Sequence, residues 1–284
     1  MKLAKTIQSV RALVQTARSR NKKIGLVPTM GAFHPGHISL IETALKECDF
    51  VVVSVFVNPT QFGPAEDFKK YPRSLDTDLE TCRKIGVDVV FAPSTEQMYP
   101  VQNLTWVNVE KLTESLCGQF RPEHFRGVTT VCAKLFNIIA PDIAFFGRKD
   151  AQQAVVIKRM VADLNMPLRI VVCPIVRGPD GLALSSRNQY LTEQQKKDAT
   201  LIYSSLQKCR EMVEAGIEDC TKIIAQMREV LNQAPSINIE YISIVDAETL
   251  QSISRITGKI LAAVAVKIGT ARLIDNILVD TGTR

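Results

Sequence analysis

The chain has 284 residues, 46% of them hydrophobic and 23% charged, with a formal net charge of +6. That composition excludes a disordered or fibrous chain, and with no stretch of ~20 uninterrupted apolar residues it offers no membrane-spanning helix. The basic excess is scattered through mixed-sign sequence, which suits anionic small molecules better than nucleic acid.

Up to about residue 177, short apolar runs alternate with helix-period segments. After an opening amphipathic helix whose Ile7, Val10, Leu13 and Val14 share a face, strands are expected at 24–29, 50–57, 87–92, 143–146 and 170–176. Helices are expected between them at 37–48, 72–85, 127–140 and 151–164. The run Phe50-Val51-Val52-Val53-Ser54-Val55-Phe56-Val57 does not alternate, so both sheet faces should be covered. The fold class expected is therefore α/β, a doubly wound parallel sheet. Residues 93–126 interrupt the rhythm and read as an insertion with a short strand at 106–109. Beyond Arg177-Gly178-Pro179-Asp180-Gly181 two helices, 193–215 and 217–232, precede strands at 239–245, 260–268 and 271–279, a smaller α+β domain. The expected domains are 1–176 and 177–284. Seven cysteines without a CxxC pair read as reduced core thiols, and Met1-Lys2-Leu3-Ala4-Lys5 lacks a signal peptide's apolar stretch, so a cytoplasmic protein is expected.

The chemistry-bearing clusters fall at the carboxyl ends of these strands, where ligands bind in doubly wound sheets. Met30-Gly31-Ala32-Phe33-His34-Pro35-Gly36-His37 joins a strand to a helix start and holds two of the chain's three histidines. A helix N-terminus attracts anions, and Gly36 allows close backbone approach, so a phosphate chain is the natural ligand. Asn58-Pro59-Thr60-Gln61-Phe62-Gly63 presents neutral amides suited to a hydroxylated acid. Tyr71-Pro72-Arg73 opens a helix with Asp76 and Asp78 in its early turns, acids that match the helix dipole or, as a single protein carboxylate beside phosphate oxygens, hold magnesium. Gly147-Arg148-Lys149-Asp150-Ala151-Gln152-Gln153 combines a phosphate-contacting lysine with an acid that can sit near a metal. Leu184-Ser185-Ser186-Arg187-Asn188 supplies hydroxyls and a guanidinium fit for a triphosphate, and His124 in Arg121-Pro122-Glu123-His124-Phe125-Arg126-Gly127 precedes another helix.

Taken in this order the clusters resemble the pantothenate synthetases, the ATP-dependent pantoate–β-alanine ligases of the HxGH nucleotidyltransferase superfamily, which have a Rossmann-like fold. The likeness extends to Arg272-Leu273-Ile274-Asp275-Asn276. Arg148 stands where that family usually has an acid or amide, Leu184 where it has methionine, and Gly269-Thr270-Ala271 departs from its Gly-x-Thr pattern. The resemblance implies two half-reactions: pantoate attacks the α-phosphorus of Mg²⁺-ATP to form pantoyl adenylate and pyrophosphate, and β-alanine then displaces AMP. It implies that His34, His37 and Lys149 are catalytic, with His37 the better proton donor. ATP is expected to lie on residues 30–37 (Met30, Gly31, Ala32, Phe33, His34, Pro35, Gly36, His37), on Gly147, Arg148, Lys149, Asp150 and Val176, and on Leu184, Ser185, Ser186 and Arg187. Gln61 and Gln153 are expected to bind pantoate with Asn58 in support, Gln61 to border β-alanine, and Asp78 and Asp150 to position magnesium. His124, Arg121 and Tyr71 are expected near the site, and a homodimer is implied. Two rivals share the HxGH turn. A nucleotidyltransferase for a phosphorylated acceptor would need extra cations where Asn58 and Gln61 stand, and a nucleotide- or RNA-binding module would need clustered basic residues.

Overall fold

The computed structural model describes residues 1–64 and 66–282. In chain order its elements are β1 (Lys2–Ala4), α1 (Ile7–Arg18), β2 (Ile24–Thr29), α2 (Pro35–Glu47), β3 (Phe50–Val55), α3 (Leu75–Ile85), β4 (Val89–Phe91), α4 (Thr95–Met98), α5 (Cys117–Phe120) and α6 (His124–Ile139). There follow β5 (Ile143–Gly147), α7 (Ala151–Asp163), β6 (Arg169–Cys173), α8 (Glu193–Glu214), α9 (Cys220–Leu231), β7 (Ile237–Asp246), β8 (Lys259–Ile268) and β9 (Ala271–Asp280). The chain divides into two compact units. The first comprises Met1–Glu110, Arg121–Arg148 and Gln153–Pro174, and the second Lys111–Phe120, Lys149–Gln152 and Ile175–Arg284.

In the first unit six strands form a sheet in the order β1-β4-β3-β2-β5-β6, every pairing parallel. Val51, Val52 and Val53 are all at 0% exposure although neighbouring residues of a strand point to opposite faces, so both faces are covered. Burying each such valine contributes about 1.5–3 kcal/mol against the entropy of ordering the strand. Strand order reverses where β2 meets β5, so the chain leaves two adjacent strands there in opposite senses around the sheet. The expected parallel sheet is therefore present, as is the opening helix, on which Val10 and Val14 are buried.

Local chemistry moved several boundaries. β6 stops at Cys173 because Pro174 has no N–H for the ladder. The third helix begins at Leu75 rather than Pro72, with Ser74 at its N-cap. No strand forms at 106–109. There Val107 donates to Thr130 Oγ1 (3.0 Å) and accepts from Thr129 Oγ1 (2.6 Å), so threonines of α6, and not a ladder partner, satisfy this backbone. The edge strand β1, pairing with β4, went unexpected because three residues carry no period.

The second unit holds an antiparallel sheet in the order β7-β8-β9, as the three late apolar runs indicated. One face of β8 and β9 packs on α8 and α9 in a core that includes Ile202, Leu206, Ile223, Met227, Ile260 and Leu273. A bulge between Ile239 and Tyr241 breaks the β7 register, and Glu240 there accepts from Arg272 Nε at 2.8 Å. All seven cysteines are free, six of them buried, and burial pushes the Cys82, Cys132 and Cys209 thiols up to about 12. Among the described residues no helix is long and apolar enough to cross a membrane.

Candidate active site

The turn after β2 starts with two residues in the left-handed region, Gly31 at φ +85° and Ala32 at φ +53°. A side chain at Gly31 would be strained there and would place its Cβ 2.9 Å from Asp78 Oδ2. For Ala32 the same conformation costs about 1–2 kcal/mol, so something must hold the turn. Asp78 does: its Oδ2 accepts from Ala32 N–H and its Oδ1 from Phe33 N–H, each at 2.9 Å, while its side chain is buried. Burial pushes this carboxyl up, and the two amides with the Ser74 hydroxyl pull it back. Thr29 Oγ1 accepts from Gly31 N–H at 3.2 Å, fixing the start of the turn.

His34 then serves as N-cap of α2, with Pro35 at its first position. Gly36 N–H donates to His34 Nδ1 (3.1 Å), and His34 N–H donates to His37 Nδ1 (3.4 Å), a capping box built from two imidazoles. Their ring centroids lie 4.1 Å apart. An Nδ1 that accepts carries no proton, so in each neutral ring the proton sits on Nε2. Gly36 is required by packing: a Cβ there would come within 2.8 Å of the His34 ring. The turn thus sets two imidazoles beside the amides of a helix N-terminus, whose positive dipole end attracts anions.

At the end of β3, Asn58 is buried and fully used. Its Nδ2 donates to Gln61 Oε1 (3.1 Å) and Gly127 O (3.2 Å), and its Oδ1 accepts from Thr60 Oγ1 (3.0 Å) and Tyr99 OH (3.0 Å). Asn58 therefore positions Gln61. The Gln61 amide reaches Met30 Sδ at 3.3 Å, which brings the amide cluster and the HxGH turn together. From the other side His124 Nδ1 donates to Gln61 O (2.8 Å), and Arg121 donates to that same oxygen and to Glu66. Burial raises the Glu66 carboxyl, but the bonded Arg121 guanidinium outweighs it and holds the group below the usual carboxylate range. Tyr71, against Phe62, is buried. Sequence reasoning missed Glu66, an acid in a loop that no local pattern marks.

The paired glutamines separate cleanly. Gln152 is buried, accepting from Cys117 N–H (3.0 Å) and donating to Leu112 O and Ser115 O, so it is structural. Gln153 is half-buried, and among the described residues its side chain makes no hydrogen bond. Arg148 is half-buried at the start of the 3₁₀ turn Arg148–Asp150, after Gly147. Lys149 Nζ lies 3.9 Å from the half-exposed Asp150 carboxylate. Val176 and Leu184 close a hairpin (Leu184 N–H to Val176 O, 3.0 Å), and Ser185 Oγ caps the 3₁₀ turn Ser186–Tyr190 by accepting from Arg187 N–H.

Among the described residues no three His, Cys, Asp or Glu side chains cluster as a metal site. Asp78, expected from sequence to hold magnesium, has both oxygens accepting from turn amides and so also holds the turn. Asp150 keeps an accessible carboxylate and fits a cation bound mainly by phosphate oxygens and water.

A parallel sheet whose order reverses at β2, with an HxGH capping box after that strand, defines a doubly wound α/β protein. The family model described as pantoate-beta-alanine ligase matches residues 2–278. Pantothenate synthetase of Thermoanaerobacter pseudethanolicus is 54% identical over 272 residues, 96% of each chain. That of Acetivibrio thermocellus is 49% identical, covering 99% of this chain and 100% of the relative. The crystal structure of pantothenate synthetase from Thermus thermophilus superposes with a TM-score of 0.93 at 43% identity, covering 98% of this chain and 99% of that one. A pantoate-beta-alanine ligase from Francisella tularensis, complexed with beta-gamma ATP and beta-alanine, gives 0.81 at 36% identity, covering 98% and 97%. The chain belongs to the pantoate-beta-alanine ligase family.

Proposed function

We propose that the protein condenses pantoate with β-alanine, consuming ATP, through pantoyl adenylate, and releases pyrophosphate and AMP. The observation that carries this reading is the HxGH capping box, whose engaged Nδ1 atoms place the ring protons on Nε2. Step one builds charge on the phosphoryl oxygens and the departing pyrophosphate, and preorganised donors in a fixed turn stabilise such charge. His37 serves as the main donor and His34 supports it.

In this reading Met30, Gly31, Ala32, Phe33, Pro35 and Gly36 line the nucleotide with the histidines, together with Gly147, Arg148, Val176 and Leu184. Lys149, Ser185, Ser186 and Arg187 contact the phosphates. Asp150 would hold magnesium, which would neutralise part of the triphosphate charge. Gln61 and Gln153 hold pantoate, with Asn58 acting through Gln61, and Gln61 borders β-alanine. The half-buried Gln153 amide and the neutral strand-end amides favour a hydroxylated carboxylate without a phosphate over a phosphorylated acceptor. The second step needs only a neutral amine beside an adenylate kept from water.

A cytoplasmic location and a homodimer belong to the same reading. Val101 and Leu104, 77% and 84% exposed, suit a face covered by a second chain, and sedimentation decides between one chain and two. The chemistry is tested by its products: with ATP, pantoate and β-alanine together, AMP should appear in step with pantothenate. Formation of ADP would point to an acyl phosphate and contradict the adenylate.

A further inference from the structure

We propose that Asp275 and Asn276 are positioning residues for ATP's phosphates, registering from one dipeptide on β9 the two segments of the second unit that carry Lys149 and Ser185–Arg187. The proposal rests on the reading of those residues as phosphate contacts. Asp275 is 3% exposed and accepts both arms of the Arg177 guanidinium, from Nη1 at 2.5 Å and Nη2 at 2.9 Å. The same guanidinium donates to Gly181 O (3.1 Å) and to Asn276 O (3.4 Å), and its Cζ lies 3.9 Å over the Tyr203 ring. Arg177 is therefore held by hydrogen bonds and by the ring, and it is the base of a hairpin. It bridges Ala183, Gly178 N–H donates to Leu182 O, and Leu184 N–H donates to Val176 O. The hairpin's outgoing arm runs directly into Ser185, Ser186 and Arg187, and Asn188 Nδ2 returns to Ala183 O at 3.1 Å. Anchoring Arg177 thus sets where two hydroxyls and a guanidinium stand.

The next residue along β9 does the same for the other segment. Asn276 Nδ2 donates to the backbone oxygen of Lys149 at 3.0 Å. Asp275 Oδ1 also accepts from Asn276 N–H at 2.7 Å, which locks the dipeptide itself. Adjacent residues of a strand diverge to opposite faces, yet here both hold segments bearing cations for the same polyanion. A purely stabilising pair needs no such convergence. Burial pushes the Asp275 carboxyl up while Arg177 and then Lys149 pull it back, so the acid also faces the positive charge of the segments it registers.

Asp275→Asn leaves a half-buried guanidinium without its counter-charge and threatens folding itself, so Asn276→Ala carries the test. Pyrophosphate–ATP exchange in the presence of pantoate is measured for Asn276→Ala, Lys149→Ala and the double variant. Asn276→Ala should raise KM for ATP about ten-fold while KM for pantoate stays within about two-fold, and it should add less than about two-fold in the Lys149→Ala background, because it acts through that lysine. An unchanged KM for ATP in Asn276→Ala overturns the proposal, as does an undiminished effect in the double variant. If Lys149→Ala alone leaves KM for ATP at the wild-type value, the phosphate reading itself falls, and the tether with it.

Discussion

His37→Ala should lower turnover in the adenylation step by ~100-fold or more while ATP affinity changes far less, the pattern of a donor that acts mainly in the transition state. The ring is already oriented in the protein by the His34 N–H on its Nδ1, so its Nε2–H needs no rearrangement when charge develops. Replacement by glutamine restores a donor without the ring and should recover part of the loss. Pre-steady-state measurement of pyrophosphate release separates the chemical step from product release. A His37→Ala enzyme within a few-fold of wild type in that step would leave the histidine as a capping residue only.

Asp78→Ala should damage the same step nearly as severely, although both carboxylate oxygens of this residue are occupied by the turn. Removing the carboxylate strands the N–H groups of Ala32 and Phe33. Each orphaned donor costs about 1–3 kcal/mol, and the left-handed Ala32 then has nothing to hold it. The HxGH turn should relax, with a fall in melting temperature and a loss of turnover together. Asp78→Asn, which keeps one acceptor oxygen, should fall between. Magnesium dependence discriminates a turn-holding acid from a metal-binding one. Raising magnesium should restore nothing in Asp78→Ala, whereas recovery at high magnesium would return Asp78 to the metal.

What the sequence made legible were features with a period or a local grammar. The unalternating run of β3 and the strand-turn-helix at HxGH mark the sheet and the turn in the sequence itself, because burial on both faces and a helix start each leave a short-range mark. The strand expected at 106–109 is absent for the opposite reason: side chains from α6, over twenty positions away, satisfy the backbone of this short apolar stretch. The supports of the site were hidden for the same reason. Asp78 and Ala32 are 46 positions apart, Glu66 and Arg121 55, and Arg177 and Asp275 98. A carboxylate whose partner lies that far along the chain looks like any surface acid, and Asp78 in a first helical turn was indistinguishable from a dipole-matching one. Gln152 and Gln153 differ only in what folding brings to them.

Activation of pantoate by adenylation is tested most directly by exchange of labelled pyrophosphate into ATP, with purified protein and magnesium, as the carboxylic acid is varied and β-alanine is withheld. Exchange should depend on pantoate and need no amine, since the first half-reaction is reversible on its own. Exchange supported by a phosphorylated acceptor such as glycerol phosphate or phosphopantetheine, with none supported by pantoate, would contradict it.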